Sequence, residues 1–522
     1  MRFTTPRGMV ALAALLATLA LPAAAAFGAE RRLTLDEAIN LALQKNEGLL
    51  IERESLAAAK ANVSGASGAY DPVAELDGGW SRSNEPLNSS SSGTTPDEIA
   101  PESSSAVGGV ALHQLLPTGG ALSLRARGAR DKTEGAFARF SPAYSTRVGV
   151  ELRQPLLRDR AIDGARLSVR VAKADRRQAD ASFRRTLSET VAAVEQAYWA
   201  LTAARLGVAV RQEAVRLAEE QLGETRTRVE AGSVPGTEIA QPRAELERRR
   251  SELLAARETV ARADNTLKLL ILEDTDESMW LSEIAPADSA AVEVVPVDVP
   301  SSLQRALSAR PELGAVQAVV DRRRAETAFA RNGVWPALDA VASYDRFGLA
   351  GSRNPAGPSD PLPANLDGSL AQSFETLGDG DFDAARVALV LSFPIRNRTA
   401  RAEAAVARHI ERQAEADLVR VRKAIRAEVL DAASALETAG QRIESSRAGR
   451  EAAEVQLSAE RDRYATGLST NFLVLTRQND LSRARLDEIS ALTDYRMARS
   501  EMARATGSLV EERGINVDGT RR

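Results

Sequence analysis

Most of this chain is written twice. Residues 194–270 align without a gap on residues 235 positions later: Val194 meets Val429, Ala197 meets Ala432, Leu222 meets Leu457, Arg228 meets Arg463, Gly232 meets Gly467 and Leu246 meets Leu481. The beginnings align at a different offset, 264, with Leu43 on Leu307, Leu49 on Leu313, Pro72 on Pro336 and Trp80 on Tyr344. Gln154-Pro155-Leu156 answers Phe393-Pro394-Ile395. The change of offset marks an insertion in the first copy, between the end of its opening helix and that proline. Self-similarity of this kind is the signature of a repeated structural unit. It divides the chain into 29–272 and 302–506, joined by an equatorial segment 273–301 and followed by a tail 507–522.

Each copy carries long helices. Val194, Leu201, Val208, Val215, Leu222 and Val229 recur every seven residues, and Val429, Leu436, Ile443, Leu457 and Tyr464 repeat them with Arg450 as the lapse. The return helix carries Ile239, Leu246, Leu253, Val260 and Leu267. A sustained period of seven is a coiled-coil seam. Alanines three residues on, Ala197, Ala204 and Ala218 matched by Ala432, Ala439 and Ala453, let neighbouring helices approach closely. Helices over 166–231 and 400–466 come to roughly 100 Å at 1.5 Å per residue. The shorter ones, 35–68 with 237–272 and 302–332 with 471–506, add end to end to about the same length. The expectation is a wall near 100 Å high, one unbroken and one spliced column per copy.

Between the helices the period switches to two. Tyr144, Thr146, Val148, Val150 and Leu152 alternate with Ser145, Arg147, Gly149, Glu151 and Arg153. Leu338, Ala340, Ala342 and Tyr344 alternate with Asp339, Ser343 and Asp345, and Val387, Leu389, Leu391 and Phe393 follow. Residues 72–83 are a weaker candidate. Such alternation over about ten residues suits a membrane β-strand, apolar to lipid and polar to the lumen, with a soluble β-sandwich as the alternative. Residues 85–105 and 348–383, rich in Ser, Thr, Pro, Gly and Asp, read as loops. Four strands cannot close a membrane barrel, since the smallest use about eight. Copies of the chain must therefore share one. The stretch 107–130, with a tight turn at Leu115–Gly120, adds two strands if both of its arms cross the membrane.

The N-terminus addresses the chain. Arg2 and Arg7 precede an apolar run from Val10 to Leu21, then Pro22 and a stretch of alanines, the layout of a secretory signal over 1–28. Its removal takes the net charge from −4 to about −6, which argues against nucleic acid. No later segment approaches about 18 uninterrupted apolar residues, so a membrane span must be β. With no Cys, disulfides and Cys-ligated metal sites are excluded, and with only His113 and His409 a His-rich metal centre is not expected. No Ser/His/Asp grouping or phosphate loop can be assembled, so neither an enzyme nor a cofactor is expected. Arg248-Arg249-Arg250 and Arg322-Arg323-Arg324 read as solvated helix faces.

Leu33-Thr34-Leu35-Asp36-Glu37-Ala38, Gln154-Pro155-Leu156-Leu157, Ala197-Tyr198-Trp199-Ala200-Leu201 and Gly467-Leu468-Ser469-Thr470-Asn471-Phe472 resemble the TolC family of outer-membrane efflux channels, in order and spacing, over nearly all of the mature chain. The resemblance implies a mainly α fold with a membrane β-barrel. Three chains would form one tube, a shared 12-stranded barrel in the outer membrane above a helical barrel of 12 columns in the periplasm. A periplasmic adaptor and an inner-membrane transporter would dock at its inner end, in drug efflux or type I secretion. The two helix–helix turns, Gly232-Ser233-Val234-Pro235 and Gly467-Leu468-Ser469-Thr470, become the docking tips. Glycine ends a helix in any case, and Ser or Thr is expected to cap the next. Glu238 falls where some members carry a gate carboxylate. Where some carry an acidic pair at the constriction, this chain has Leu473 and Thr476, so a gate here rests on Leu473 or Phe472. Trp80 and Tyr344 suit an aromatic girdle. The competing readings are a periplasmic adaptor and a structural coiled coil. An adaptor needs one hairpin and soluble β-domains, and a coiled coil leaves the strands unexplained.

Overall fold

The structure, a computed structural model, describes residues 30–86, 100–359, 361 and 363–516. The expected export signal, most of the 85–105 loop and the end of the tail lie outside the described residues. The first copy runs through β1 (Glu30–Leu33), α1 (Leu35–Lys45), α2 (Glu47–Ser67), β2 (Val73–Ser83), β3 (Ser103–Leu115), β4 (Ala121–Thr133), β5 (Phe140–Pro155), α3 (Gly164–Glu230) and α4 (Ala240–Ile271). The joining segment holds α5 (Glu277–Trp280) and β6 (Glu283–Pro286). The second copy runs through α6 (Val299–Ala309), α7 (Pro311–Asn332), β7 (Ala337–Arg353), α8 (Leu370–Asp379), β8 (Asp383–Ser392), α9 (Arg398–Ala465) and α10 (Asn471–Thr506), with α11 (Leu509–Glu512) after it.

The two long helices have 67 and 68 residues, about 100 Å each. Asp163 starts α3, its Oδ1 accepting from Arg166 N at 2.8 Å. The heptad positions Val194, Leu201, Leu222, Val429, Leu436, Ile443 and Leu457 are buried, with Ala218, Ala432, Ala439 and Ala453 beside them. Arg450, the lapse in the seam, lies 2.6 Å from Glu488 and 2.8 Å from Glu454, so an ion-pair cluster replaces the missing apolar residue.

The spliced columns differ from expectation in one respect: each opening helix is broken. Asn46 leaves the helical conformation between α1 and α2, where its side chain accepts from Leu49 N at 3.2 Å and caps the second piece. Its amide donates to Leu270 O at 3.2 Å near the end of α4. The second copy breaks at Arg310, 264 positions later, because Pro311 forces the residue before it into extended backbone. Arg310 Nη1 donates to Ala505 O at 3.2 Å, near the end of α10. Each break therefore falls where two short helices meet, and the duplication preserves it.

A belt at mid-height ties the copies together. β1 pairs in parallel with β6. Lys45 reaches Asp276 at 2.6 Å, and that hydrogen bond, with one from Glu273 N, holds the carboxyl of Asp276 below the usual range. Tyr198, fully buried on α3, donates to Asp288 Oδ2 at 2.7 Å and accepts from Ala287 N and Asp288 N. Tyr495 on α10 accepts from Val295 N at 3.0 Å. The irregular segment after β6 is thus stapled to both halves by buried phenols.

A loop and a solvated helix face expected from the sequence also need correction. Residues 348–383 are not loop throughout, since β7 continues to Arg353 and α8 occupies Leu370–Asp379. Of the arginine triplets, Arg249 is buried, bracketed by Glu245 at 2.8 Å and Glu252 at 3.1 Å. Arg248 and Arg250 remain half-exposed and paired with glutamates, and Arg322 and Arg324 pair with Asp175 and Glu415.

Candidate functional site

Both helix hairpins turn in the same way. At the end of α3, Gly232 takes φ +69°, its N–H donates to Val229 O at 2.9 Å and Ser233 N donates to Arg228 O at 2.9 Å. At the end of α9, Gly467 takes φ +79°, its N–H donates to Tyr464 O at 3.1 Å and Leu468 N donates to Arg463 O at 2.8 Å. Each is a Schellman turn, which needs a residue tolerant of the left-handed region. The exits differ. Val234-Pro235 leads into a short 3-10 turn, Gly236–Ile239, with the exposed Glu238 in it. Thr470 precedes α10 without bonding through its side chain, so the expected hydroxyl cap is absent. Ser469 instead donates to the buried Glu460.

The two tips touch each other. The Arg228 guanidinium lies 4.1 Å from the centroid of the Tyr464 ring, a cation–π contact joining the end of α3 to the end of α9. Among the expected gate residues, Phe472 and Leu473 are exposed, as is Leu468 at the turn. Thr476 bonds back to Phe472 O at 2.8 Å, so its hydroxyl is spent within its own helix and the patch is apolar. Asn471 beside it is buried, with no partner for its side-chain amide among the described residues. Neither the Arg228–Tyr464 contact nor the buried Asn471 is signalled by any spacing in the sequence; the alignment of Arg228 with Arg463 marks only the place.

At the opposite end of the long helices, β2-β3-β4-β5-β7-β8 form one sheet in that order, antiparallel throughout. The sheet thus has six strands, where the TolC resemblance implies four. Ladder partners keep the two faces apart. One row reads Ala74, Leu112, Leu124, Val150, Tyr344 and Ala385, and the next on the other face reads Val73, His113, Ser123, Glu151, Ser343 and Arg386. On the polar face Arg147 pairs with Asp345 at 2.9 Å and Arg153 with Asp339 at 2.5 Å. Trp80 and Tyr344 stand exposed on the apolar face. His113 bonds Ser123 at 2.9 Å and His409 is exposed on α9; no cluster of metal-ligating side chains occurs among the described residues. No described helix is long and apolar enough to cross a membrane.

This arrangement has relatives among solved structures. The chain resembles the CmeC outer membrane channel of Campylobacter jejuni, with 15% identity, TM-score 0.63 and coverage of 91% of this chain and 86% of that one. VceC, an outer membrane protein of Vibrio cholerae, gives 14%, 0.61, 91% and 96%, and the open state of the MtrE outer membrane channel of Neisseria gonorrhoeae gives 17%, 0.60, 91% and 89%. At such identities the likeness is one of fold. No curated protein matches in sequence. A family model for outer membrane efflux proteins matches residues 121–271 and 302–508, the bulk of both copies with the joining segment left out. The chain belongs to the outer membrane efflux protein family, whose members are channels and not enzymes.

Proposed function

We propose that three copies of the chain form a passive exit duct of a tripartite efflux or type I secretion system. Its sheet lies in the outer membrane among lipid, and its helices stand in the periplasm. Cargo, small molecules or proteins, enters from an inner-membrane transporter through an adaptor docked at Gly232–Pro235 and Gly467–Thr470. The supporting observation is the placement of two matched Schellman turns about 100 Å from a sheet with one apolar and one charged face. A duct needs a docking end, a length of wall and a membrane end, and the chain has one of each.

Export tests the docking end. Proline cannot adopt the positive φ of Gly232 or Gly467, nor donate the N–H each uses. In cells lacking the chain, wild type should restore ethidium efflux or the secreted proteins of the medium. Gly232→Pro and Gly467→Pro should reach the outer membrane in normal amount and fail to restore either. Wild-type export by both variants would remove docking at the turns, and normal export without the chain would remove the duct.

A further inference from the structure

The hairpin of β3 and β4 lies in a place of its own: it stands between β2 and β5, the strands that follow and precede the helices of the first copy. The second copy has nothing comparable, for β7 pairs directly with β8. Each arm has 13 residues, more than the roughly 9–11 a tilted membrane strand requires. The other four strands have 11, 16, 17 and 10, so none of the six is too short to cross.

The hairpin also carries the alternation of its neighbours. Val110 and Leu112 on β3, with Leu124 and Ala126 on β4, continue the apolar face of β2 and β5 in ladder register. Its turn is fixed to the rim at the foot of the sheet. Leu116 N donates to Gly120 O at 2.8 Å, and the Gln154 amide donates to Thr118 O at 3.1 Å. Gly119, at φ +86°, leaves no room for a Cβ beside the Asp159 carbonyl and Arg166, at the entrance to α3. A hairpin held at that rim and paired along its whole length on both sides is part of the wall.

The sheet then ends in two bare edges. β2 rises from α2 and β8 descends into α9, so they run in opposite directions, as an antiparallel ladder between them requires. Leu76 is 79% exposed and Val387 86%. Exposed apolar edge strands of this length, free of proline, are templates for pairing with another chain. The occupant that matches in polarity, length and apolar face is a second copy.

Resting on the three-copy duct proposed above, we propose that all six strands of each chain cross the outer membrane. β8 of one copy pairs with β2 of the next, and three chains of six strands close as a barrel of 18. At a strand spacing of about 4.8 Å and a tilt of about 40°, such a barrel measures roughly 36 Å between backbones, against about 24 Å for 12 strands. α8 does not obstruct it. Thr146 Oγ1 donates to Ser373 O at 3.0 Å, on the face opposite the Arg147–Asp345 pair, so the helix lies outside the bore. The membrane portal is therefore about one and a half times as wide as a 12-stranded one, leaving selection to the tips.

Electron cryomicroscopy of the wild-type assembly in lipid nanodiscs counts the strands directly. Eighteen strands in cross-section, about 36 Å across, are expected. Twelve strands, with residues 103–133 outside the wall, would overturn the wider barrel and leave the duct standing if a three-fold helical tube lies below. Absence of a three-fold tube would overturn both. Spin labels provide a second reading in the chain, which has no native Cys. Val110→Cys should be reached by membrane-dissolved oxygen and Ala111→Cys by an aqueous relaxant. Aqueous access at both would contradict the proposal.

Discussion

Tyr198 carries more of the architecture than its size suggests. Its side chain is fully buried, and its hydroxyl serves two backbone N–H groups and the carboxylate of the exposed residues Ala287 and Asp288, 3.0 Å from Leu33 O. Burial first, and the bond to Asp288 second, push its ionisation well above that of an ordinary phenol, so it remains a donor at every physiological pH. Tyr198→Phe preserves the packing but removes three hydrogen bonds, leaving Asp288 the one it accepts from Leu35 N, at a cost of about 1–3 kcal/mol. Tyr495→Phe frees one backbone N–H near Val295 and should cost about 1 kcal/mol. Limited proteolysis checks the order: cleavage within 287–298 should accelerate more in Tyr198→Phe than in Tyr495→Phe. Equal and unchanged rates would show that the belt is held by helix packing alone.

The helices and strands divide into those whose sequence declares them and those shaped by what they touch. The heptads of α3 and α9 and the alternation of β5, β7 and β8 are visible because a buried stripe or face recurs at the period of its own element. The turns at Gly232 and Gly467 are visible because only glycine suits them. Asn46 is hidden, since nothing local forbids a helix there and its amide is used by Leu270 from another column. Arg310-Pro311 carries the signal for the matching break, the bias against helix before proline. α8 is hidden for a different reason: it buries Ser373 and Thr376 against the sheet and exposes Leu370 and Phe374, the reverse of the pattern that identifies a helix. The tips hold the apolar patch of Phe472 and Leu473, with Thr476 turned inward on its own helix. If this patch closes the inner end, Phe472→Ala with Leu473→Ala should raise single-channel conductance in planar bilayers several-fold while assembly is retained. Wild-type conductance in the double variant would place the constriction elsewhere, with Glu238 next to be tested.

At the scale of the whole molecule, length governs function. The two unbroken helices and the two spliced columns agree in height because the short helices meet at Asn46 with Leu270 and at Arg310 with Ala505. A wall of even height can be repeated around an axis without gaps, and its two ends are then available for different tasks. The sheet end has the faces a lipid bilayer requires and the tip end has the matched turns. The most direct measurement is electron cryotomography of the cell envelope, comparing cells that overproduce the chain with cells that lack it. The account predicts hollow tubes rooted in the outer membrane and reaching about 100 Å into the periplasm, absent from the deletion strain. Envelopes without such tubes, with the chain recovered from the soluble periplasm or the inner membrane, would contradict it.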